Sequence, residues 1–254
     1  MSRQCRTATA KSGGSSSLQE ADMDRRRFVG ICAGAAVAIA AGARPVAAAG
    51  MQDYPAAKLV DAHGVPLRAS GLTTNQAYLF HYPFRAVPCF LINLGKAGAA
   101  GQTPDGEDGS QLWPGGAGKD HNLVSYVAVC THQLSYANKA ASVIRYAADD
   151  SELAGKPGMI VCCAHGSVFD PAAGARTVSG PADQPLIPVR LKVDPLDDSV
   201  SATGIGTSTL IDRFFAAYKS DLIAEYGPGA YRQPIGATTT TVLLDEFSSV
   251  VPSC

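Results

Sequence analysis

Two short stretches decide the fold of this chain: Leu-Val-Ser-Tyr-Val-Ala-Val-Cys-Thr-His at residues 123–132, and Met-Ile-Val-Cys-Cys-Ala-His-Gly-Ser-Val-Phe-Asp at residues 159–170. Each begins with apolar and β-branched residues over the length of a strand, which predicts a buried β-strand. Each strand leads directly into a Cys and a His, spaced C-x-H in the first stretch and C-x-x-H in the second. The sequence therefore predicts two loops at strand ends, each carrying one thiol and one imidazole.

These four residues are Cys130, His132, Cys162 and His165, and such a set favours metal ligation. The residue types alone leave two kinds of site open. A structural zinc ion accepts two Cys and two His in a tetrahedral arrangement. A [2Fe-2S] cluster also takes four ligands, and two His ligands on one iron raise its potential to roughly −150 to +300 mV.

The residues around the second pair are more specific. His165-Gly166-Ser167-Val168-Phe169-Asp170 extends the C-x-x-H motif, and Ser179-Gly180-Pro181-Ala182 follows it. With the C-x-H motif, these stretches resemble the Rieske family over about residues 123–205. The resemblance implies one Rieske-type [2Fe-2S] cluster per chain. It also implies an all-β Rieske fold, with an antiparallel β-sandwich base and a small inserted cluster-binding subdomain.

The resemblance further implies how the four ligands divide. Cys130 and Cys162 would hold one iron, and His132 and His165 would hold the other, outer iron. Each imidazole would keep its second nitrogen towards solvent or a partner, which couples electron transfer to proton transfer at that edge.

Four more residues have roles implied by the resemblance. Ser167 would donate a hydrogen bond to a bridging sulfide, and Gly180 and Pro181 would lie in a loop that shields the cluster. Phe169 stands where high-potential members have a Tyr whose hydroxyl lies near a ligand thiolate. Because Phe cannot donate a hydrogen bond, we expect a lower potential than in the Tyr-bearing members.

The cysteines depart from the commonest pattern of respiratory Rieske proteins. The disulfide that ties the two cluster loops together there has Ser135 and Ala164 at its positions here, so that cross-link cannot form. The seven cysteines of the chain are unevenly spaced and do not predict a disulfide framework. Cys163 is an alternative ligand to Cys162, although the family pattern favours Cys162. We expect Cys254 to be a free thiol on a mobile end.

The domain organisation follows from the pattern of strands and turns. Residues 50–206 are expected to form the main domain, with the cluster-binding subdomain at about 121–185. Residues 209–226 show helical periodicity and predict a C-terminal amphipathic helix, followed by a loose tail within residues 207–254. His63, His81 and His121 lack a neighbouring group of ligands, and we expect them to be structural or solvated.

Residues 1–49 are expected to be a disordered start followed by an export signal. Arg25-Arg26-Arg27-Phe28, an apolar run to Ala43 and the small residues Ala47-Ala48-Ala49 resemble a twin-arginine signal with its cleavage site. They predict an exported, periplasmic protein. The apolar run covers about 14 residues rather than the roughly 20 that span a bilayer. An uncleaved leader that anchors the protein to the membrane is the alternative.

Composition and motifs together indicate an electron carrier. The formal net charge is −1 and charged residues make up 17% of the chain, without a basic stripe, so no nucleic-acid partner is expected. A cluster with four protein ligands has no open position for substrate, so the chain is not expected to be catalytic alone.

The segment Phe80-His81-Tyr82-Pro83 and the later Pro88-Cys89-Phe90-Leu91 resemble the small subunit of arsenite-oxidase-type molybdenum oxidoreductases. This implies a molybdopterin-type catalytic subunit as electron donor and a cytochrome c-like carrier as acceptor. The alternative is the Rieske subunit of a cytochrome bc (quinol-cytochrome c reductase) complex, with cytochrome b as partner.

Overall fold

The computed structural model describes residues 50–98, 105–106, 109–110, 113 and 115–254, and this part of the chain is built mainly from β-strands. The strands are β1 (Met51–Val60), β2 (Ala77–His81), β3 (Pro88–Asn93), β4 (Asp105–Gly106), β5 (Gly109–Ser110), β6 (Leu123–Val127), β7 (Ile144–Ala147), β8 (Met159–Cys162), β9 (Ser167–Asp170), β10 (Arg176–Ser179), β11 (Val189–Val193), β12 (Val200–Gly206), β13 (Thr238–Thr240) and β14 (Val242–Leu243). The helices are α1 (Leu210–Ala217), α2 (Lys219–Tyr226) and α3 (Leu244–Phe247), with short 3-10 turns at Ala69–Gly71, Pro171–Ala173 and Ala230–Arg232. The predicted all-β class is confirmed.

Three four-stranded sheets carry the fold. The first has the order β11-β12-β1-β13, the second β14-β2-β3-β6, and the third β10-β9-β8-β7. All pairings within them are antiparallel except that of β1 with β13. The strands β4 and β5 pair only with each other.

The second sheet lies between the other two, and its central strands are buried on both faces. Every residue of β3 and of β6 is buried. Successive residues of a strand point to opposite faces, and Phe90 and Leu91 of β3 accordingly belong to different hydrophobic clusters. Leu91 packs with Leu59 and Ala202 of the first sheet, whereas Phe90 packs with Phe169 of the third sheet. The uninterrupted apolar runs in the sequence thus reflect burial from two sides.

The third sheet packs against the middle sheet. Ile160, Cys162 and Phe169 share its inner face and contribute to the cluster that contains Phe90. Its outer face carries a smaller apolar cluster that includes Met159 and Val161. Tyr126 of the middle sheet donates a hydrogen bond from its hydroxyl to the carbonyl of Pro171, 2.7 Å away, which joins the two sheets across the buried interface.

The predicted C-terminal helix is present, but it consists of two short helices. α1 ends at Ala217, and Tyr218 has φ −105° and ψ 20°, outside helical geometry, before α2 begins at Lys219. The ring of Tyr218 packs against those of Tyr136 and Phe214, with centroid distances of 4.7 and 5.5 Å. Because α1 buries four side chains and α2 buries only Leu222, the break separates a helix held by the core from a more exposed one.

The predicted loose tail is wrong, because the segment after the helices is paired and packed. β13 joins the first sheet beside β1, and β14 joins the second sheet beside β2. Leu244 of α3 is buried in the cluster that lies between the second and third sheets. The sequence showed only a run of Thr and short apolar residues here, with no periodicity long enough to predict a strand.

No helix in the described part of the chain is long and apolar enough to cross a membrane. The predicted twin-arginine signal at residues 1–49 lies outside the described residues and remains a prediction.

His81 is a structural histidine, as expected. Its ring packs against Tyr226 of α2 and Phe247 of α3, with centroid distances of 6.5 and 5.6 Å. Burial, with a smaller contribution from the positive charge of Lys139, lowers the pKa of His81 to about 4.

We expect this histidine to make the free energy of unfolding depend on pH. Between pH 6.5 and 4 the unfolded chain binds a proton that folded His81 does not, so stability falls as the pH falls, by up to about 3 kcal/mol. The substitution His81→Phe keeps the aromatic contacts and removes the proton site, so its unfolding free energy should depend less on pH. Urea unfolding at pH 7, 5.5 and 4 tests this, with His63→Gln in an exposed turn as the control. Equal slopes for wild type and His81→Phe would contradict it.

Candidate metal centre

The first motif lies in a tight loop that follows directly from the middle sheet. After β6, the amide of Cys130 donates to the carbonyl of Ser135 at 2.7 Å, and the amide of Leu134 donates back to the carbonyl of Cys130 at 2.9 Å. Leu134 has φ +60°, and its side chain is buried with the core between the first and second sheets. The loop of residues 130–135, called loop 1, is therefore fixed at its base by two backbone hydrogen bonds and by the buried side chain of Leu134.

The second motif forms a four-residue turn between two strands of the third sheet. Cys162 at the end of β8 pairs with Ser167 at the start of β9, so residues 163–166, called loop 2, connect the two. The amide of Gly166 donates to the carbonyl of Cys162 at 2.9 Å, and Gly166 has φ +79°. The amide of Cys163 donates to Val143 at 2.7 Å, which holds the turn against the neighbouring segment.

The two predicted ligand thiols are buried and face each other. Cys130 and Cys162 are 2% and 0% exposed, and their sulfurs are in hydrogen-bonding contact. This contact lowers the pKa of Cys130 to about 7 against the opposing effect of burial, with help from the backbone N–H groups of His132 and Gln133 and from Ser167. The same contact and burial raise the pKa of Cys162, whose sulfur accepts from backbone N–H groups of loop 2. A lowered pKa at Cys130 favours its thiolate, the form in which a cysteine binds a metal.

The two predicted ligand imidazoles lie together on the outer side of the thiols. The rings of His132 and His165 have centroids 5.0 Å apart and are nearly perpendicular. His165 is exposed and His132 is partly buried. The Nδ1 atom of His132 is buried and has no hydrogen-bond partner. A buried nitrogen without a partner is costly unless something else binds it, so this atom is available to a metal.

The four predicted ligands form two pairs of like side chains. Within the residues that the structure describes, no three His, Cys, Asp or Glu side chains gather as they would around one metal ion. The predicted ligands meet in two like pairs, thiol with thiol and imidazole with imidazole. A [2Fe-2S] cluster with two Cys on one iron and two His on the other requires this pairing. Cys130, Cys162, His132 and His165 are therefore the residues that would hold it.

Ser167 connects the thiols to the predicted shielding loop. Its side chain is fully buried and hydrogen-bonded to the sulfur of Cys130, and its Oγ accepts a hydrogen bond from the amide of Ala182 at 3.2 Å. Two threonines hold the same loop, residues 180–185, through one carbonyl. Thr131 and Thr177 donate to the oxygen of Gln184 at 2.7 and 3.0 Å. The sequence motifs did not indicate these threonines, because nothing in their spacing marks a hydrogen bond to a distant carbonyl.

Phe169 is buried, whereas Pro181 is exposed to solvent. Phe169 is fully buried on the same face of the third sheet as Cys162, in the hydrophobic cluster that contains both predicted ligand cysteines. It keeps water from the inner side of the site and donates no hydrogen bond there. Pro181 is exposed at the outer side, where the shielding loop meets solvent.

The prediction that Cys254 is a free thiol on a mobile end is wrong. Cys254 forms a disulfide with Cys163, with Cα atoms 5.7 Å apart. Within the described residues the free cysteines are Cys89, Cys130 and Cys162, all buried. A bonded Cys163 cannot also serve as a thiolate ligand, so the structure favours Cys162. Five cysteines remain once Cys130 and Cys162 are chosen as ligands, and the sequence does not show which of them pair.

We expect Gly180→Ala to loosen the shielding loop. Gly180 has φ +86°, and an added Cβ would lie 2.2 Å from the oxygen of Gly166 and 2.6 Å from Cα of Ser167. Backbone must move to relieve this clash, so the amide of Ala182 should exchange with solvent much faster. Gly64→Ala is the matched control, since Gly64 has φ +81° and open space around it. The control should cost about 1–2 kcal/mol of unfolding free energy, and Gly180→Ala should cost more. Equal losses, with unchanged exchange at Ala182, would contradict the role of Gly180.

No protein-family model matches the chain. Among solved structures, the chain is similar to the soluble domain of Rieske protein II (soxF) from Sulfolobus acidocaldarius. The two share 26% sequence identity over 60% of this chain and 78% of the other, with a TM-score of 0.44.

Proposed function

We propose that this chain is an electron-transfer subunit that holds a [2Fe-2S] cluster on Cys130, Cys162, His132 and His165. The observation that carries the proposal is the pairing of two buried thiols that contact each other with two adjacent imidazoles. The unpartnered Nδ1 of His132 supports it independently. When bound, the cluster would accept and release one electron at a time.

The residues around the ligands have different roles on the inner side, at the thiols, and on the outer side, at the imidazoles. On the inner side, backbone N–H groups of both loops and the Ser167 hydroxyl point at the two sulfurs, so negative charge there is stabilised without exposure to water. On the outer side, exposed His165 provides the path to a redox partner and a nitrogen at which a proton can be taken up or released.

For the host complex, the proposal is a molybdenum enzyme of the arsenite-oxidase type that gives electrons to this chain, with a cytochrome c-like carrier as acceptor. The residues that carry this resemblance form the β2–β3 hairpin of the middle sheet, on which the third sheet packs. Purification of the tagged chain from its native source, with identification of its stable partners by mass spectrometry, tests the proposal. Recovery of a molybdopterin-containing subunit would support it, and recovery of cytochrome b would replace it with the cytochrome bc alternative.

The cluster itself is tested by metal analysis and electron paramagnetic resonance. We expect two irons per chain, and a signal with the low average g of His-ligated clusters after reduction with dithionite. Cys130→Ser should abolish both, because it removes a buried ligand thiol. Cys89→Ser is the control, since Cys89 lies in the base and its Sγ donates only to backbone carbonyls, at 3.2 Å to Tyr82 and 3.8 Å to Val87. A protein that contains one zinc and gives no signal would refute the electron-transfer function.

We also expect the hydroxyl of Ser167 to raise the potential. Ser167→Ala removes a hydrogen bond at the Cys130 sulfur, so more negative charge stays on the sulfur and the oxidised form is favoured. The midpoint potential should fall by roughly 20 to 60 mV, the effect of about 0.5–1.5 kcal/mol on a one-electron couple. Protein-film voltammetry measures this shift. Ser125→Ala is the control, because Ser125 is equally buried but its hydroxyl has no partner.

A further inference from the structure

The disulfide between Cys163 and Cys254 attaches a distant segment to one of the two ligand loops. Cys163 lies immediately after Cys162 and two residues before His165, so the bond enters loop 2 between its two predicted ligands. The bonded cysteines are 91 residues apart in the chain. The segment that ends in Cys254, residues 248–254, is called the strap.

The strap is hydrogen-bonded along the segment that leaves loop 1. The hydroxyl of Ser248 donates to the backbone carbonyl of Asn138 at 2.7 Å, and the amide of Ser249 donates to the carbonyl of Lys139 at 2.8 Å. The amide of Ser142 donates to Val250 at 2.8 Å. These three bonds place the strap beside residues 138–142, which continue from loop 1 into β7.

Apolar contacts and one more hydrogen bond hold the far end of the strap. The disulfide packs on the outer face of the third sheet, with Met159, Val161 and Val168. Val251 packs against the cluster between the second and third sheets. The hydroxyl of Ser151 donates to the carbonyl of Cys254. The strap therefore reaches from the exit of loop 1 to the middle of loop 2.

Loop 2 has few other constraints of its own. Among backbone hydrogen bonds between described residues, only those from the amide of Cys163 to the carbonyl of Val143 and from the amide of Gly166 to the carbonyl of Cys162 hold its four residues. Ala164 and His165 are exposed, and their backbone N–H groups must stay aimed at the sulfur of Cys162. A covalent bond at residue 163 limits the motion that would turn these donors away.

We propose that the strap is a positioning device for the metal centre, and that Cys254 is the residue through which it acts. The inference rests on the proposed function, since the groups that the strap positions are the predicted ligands of loop 2. The strap joins the exit of loop 1 to loop 2. It thereby keeps the two loops, and the Cys and His that each carries, in a fixed relative position without a direct disulfide between the loops. The hydrogen bonds to the Cys162 sulfur persist only while loop 2 holds its place.

The test compares three variants with the wild-type protein, all purified without thiol reductants. The double variant Cys163→Ser/Cys254→Ser removes the cross-link and leaves no spare thiol. A second variant, Ser248→Ala, weakens the strap and keeps the disulfide. Cys89→Ser, in the base, controls for the loss of a cysteine and for any general loss of stability. Hydrogen exchange, iron retention in the presence of a chelator and the midpoint potential are measured for each.

In the double variant we expect the amides of residues 163 and 166 to exchange about tenfold faster or more, while the amides of β1 and β12 do not change. Iron should be lost faster, and the potential should fall because donors leave the Cys162 sulfur. Ser248→Ala should show the same changes to a smaller extent. If exchange, iron retention and potential match those of wild type or of Cys89→Ser, the positioning role is refuted. Absence of iron from the wild-type protein would instead refute the proposed function.

Discussion

The burial of the middle sheet on both faces is the constraint on which the rest of the molecule depends. Because β3 and β6 have apolar residues on both sides, they cannot lie at a surface, and a sheet must cover each face. One covering sheet completes the base, and the other carries loop 2. The strand β6 runs from the centre of this arrangement directly into Cys130. The position of loop 1 is therefore set by a fully buried strand.

The two thiols and the two imidazoles differ mainly in their distance from this core. The thiols are buried in the hydrophobic cluster between the second and third sheets, where a charge is stabilised only by fixed donors. The imidazoles lie further out, and His165 is exposed to solvent. Because burial decreases from the thiols to the imidazoles, each short motif provides one ligand that is shielded from water and one that lies nearer the surface.

The sequence was most informative where chemistry and local pattern coincide. Cys130 and Cys162 each follow an apolar run, so a strand and a ligand could be predicted together, and the all-β class followed from the same runs. The pairing of Cys163 with Cys254 was not predictable, because it depends on how a segment 91 residues away is routed through β13, β14 and α3. The break at Tyr218 was missed for a related reason. Helical periodicity continues across it, and only the tertiary contacts of its ring distinguish it.

The disulfide also divides the molecule in a way that the sheets do not. Residues 163–254 form a closed covalent ring, which contains His165, Ser167, the shielding loop and the three helices α1, α2 and α3. Cys130, His132 and Cys162 lie outside this ring. A cut in the backbone within the ring would leave both pieces joined, and His165 would stay linked to the rest of the chain. A cut between loop 1 and loop 2 would leave two pieces that no disulfide of the described residues joins. Only non-covalent packing would then keep the two loops together.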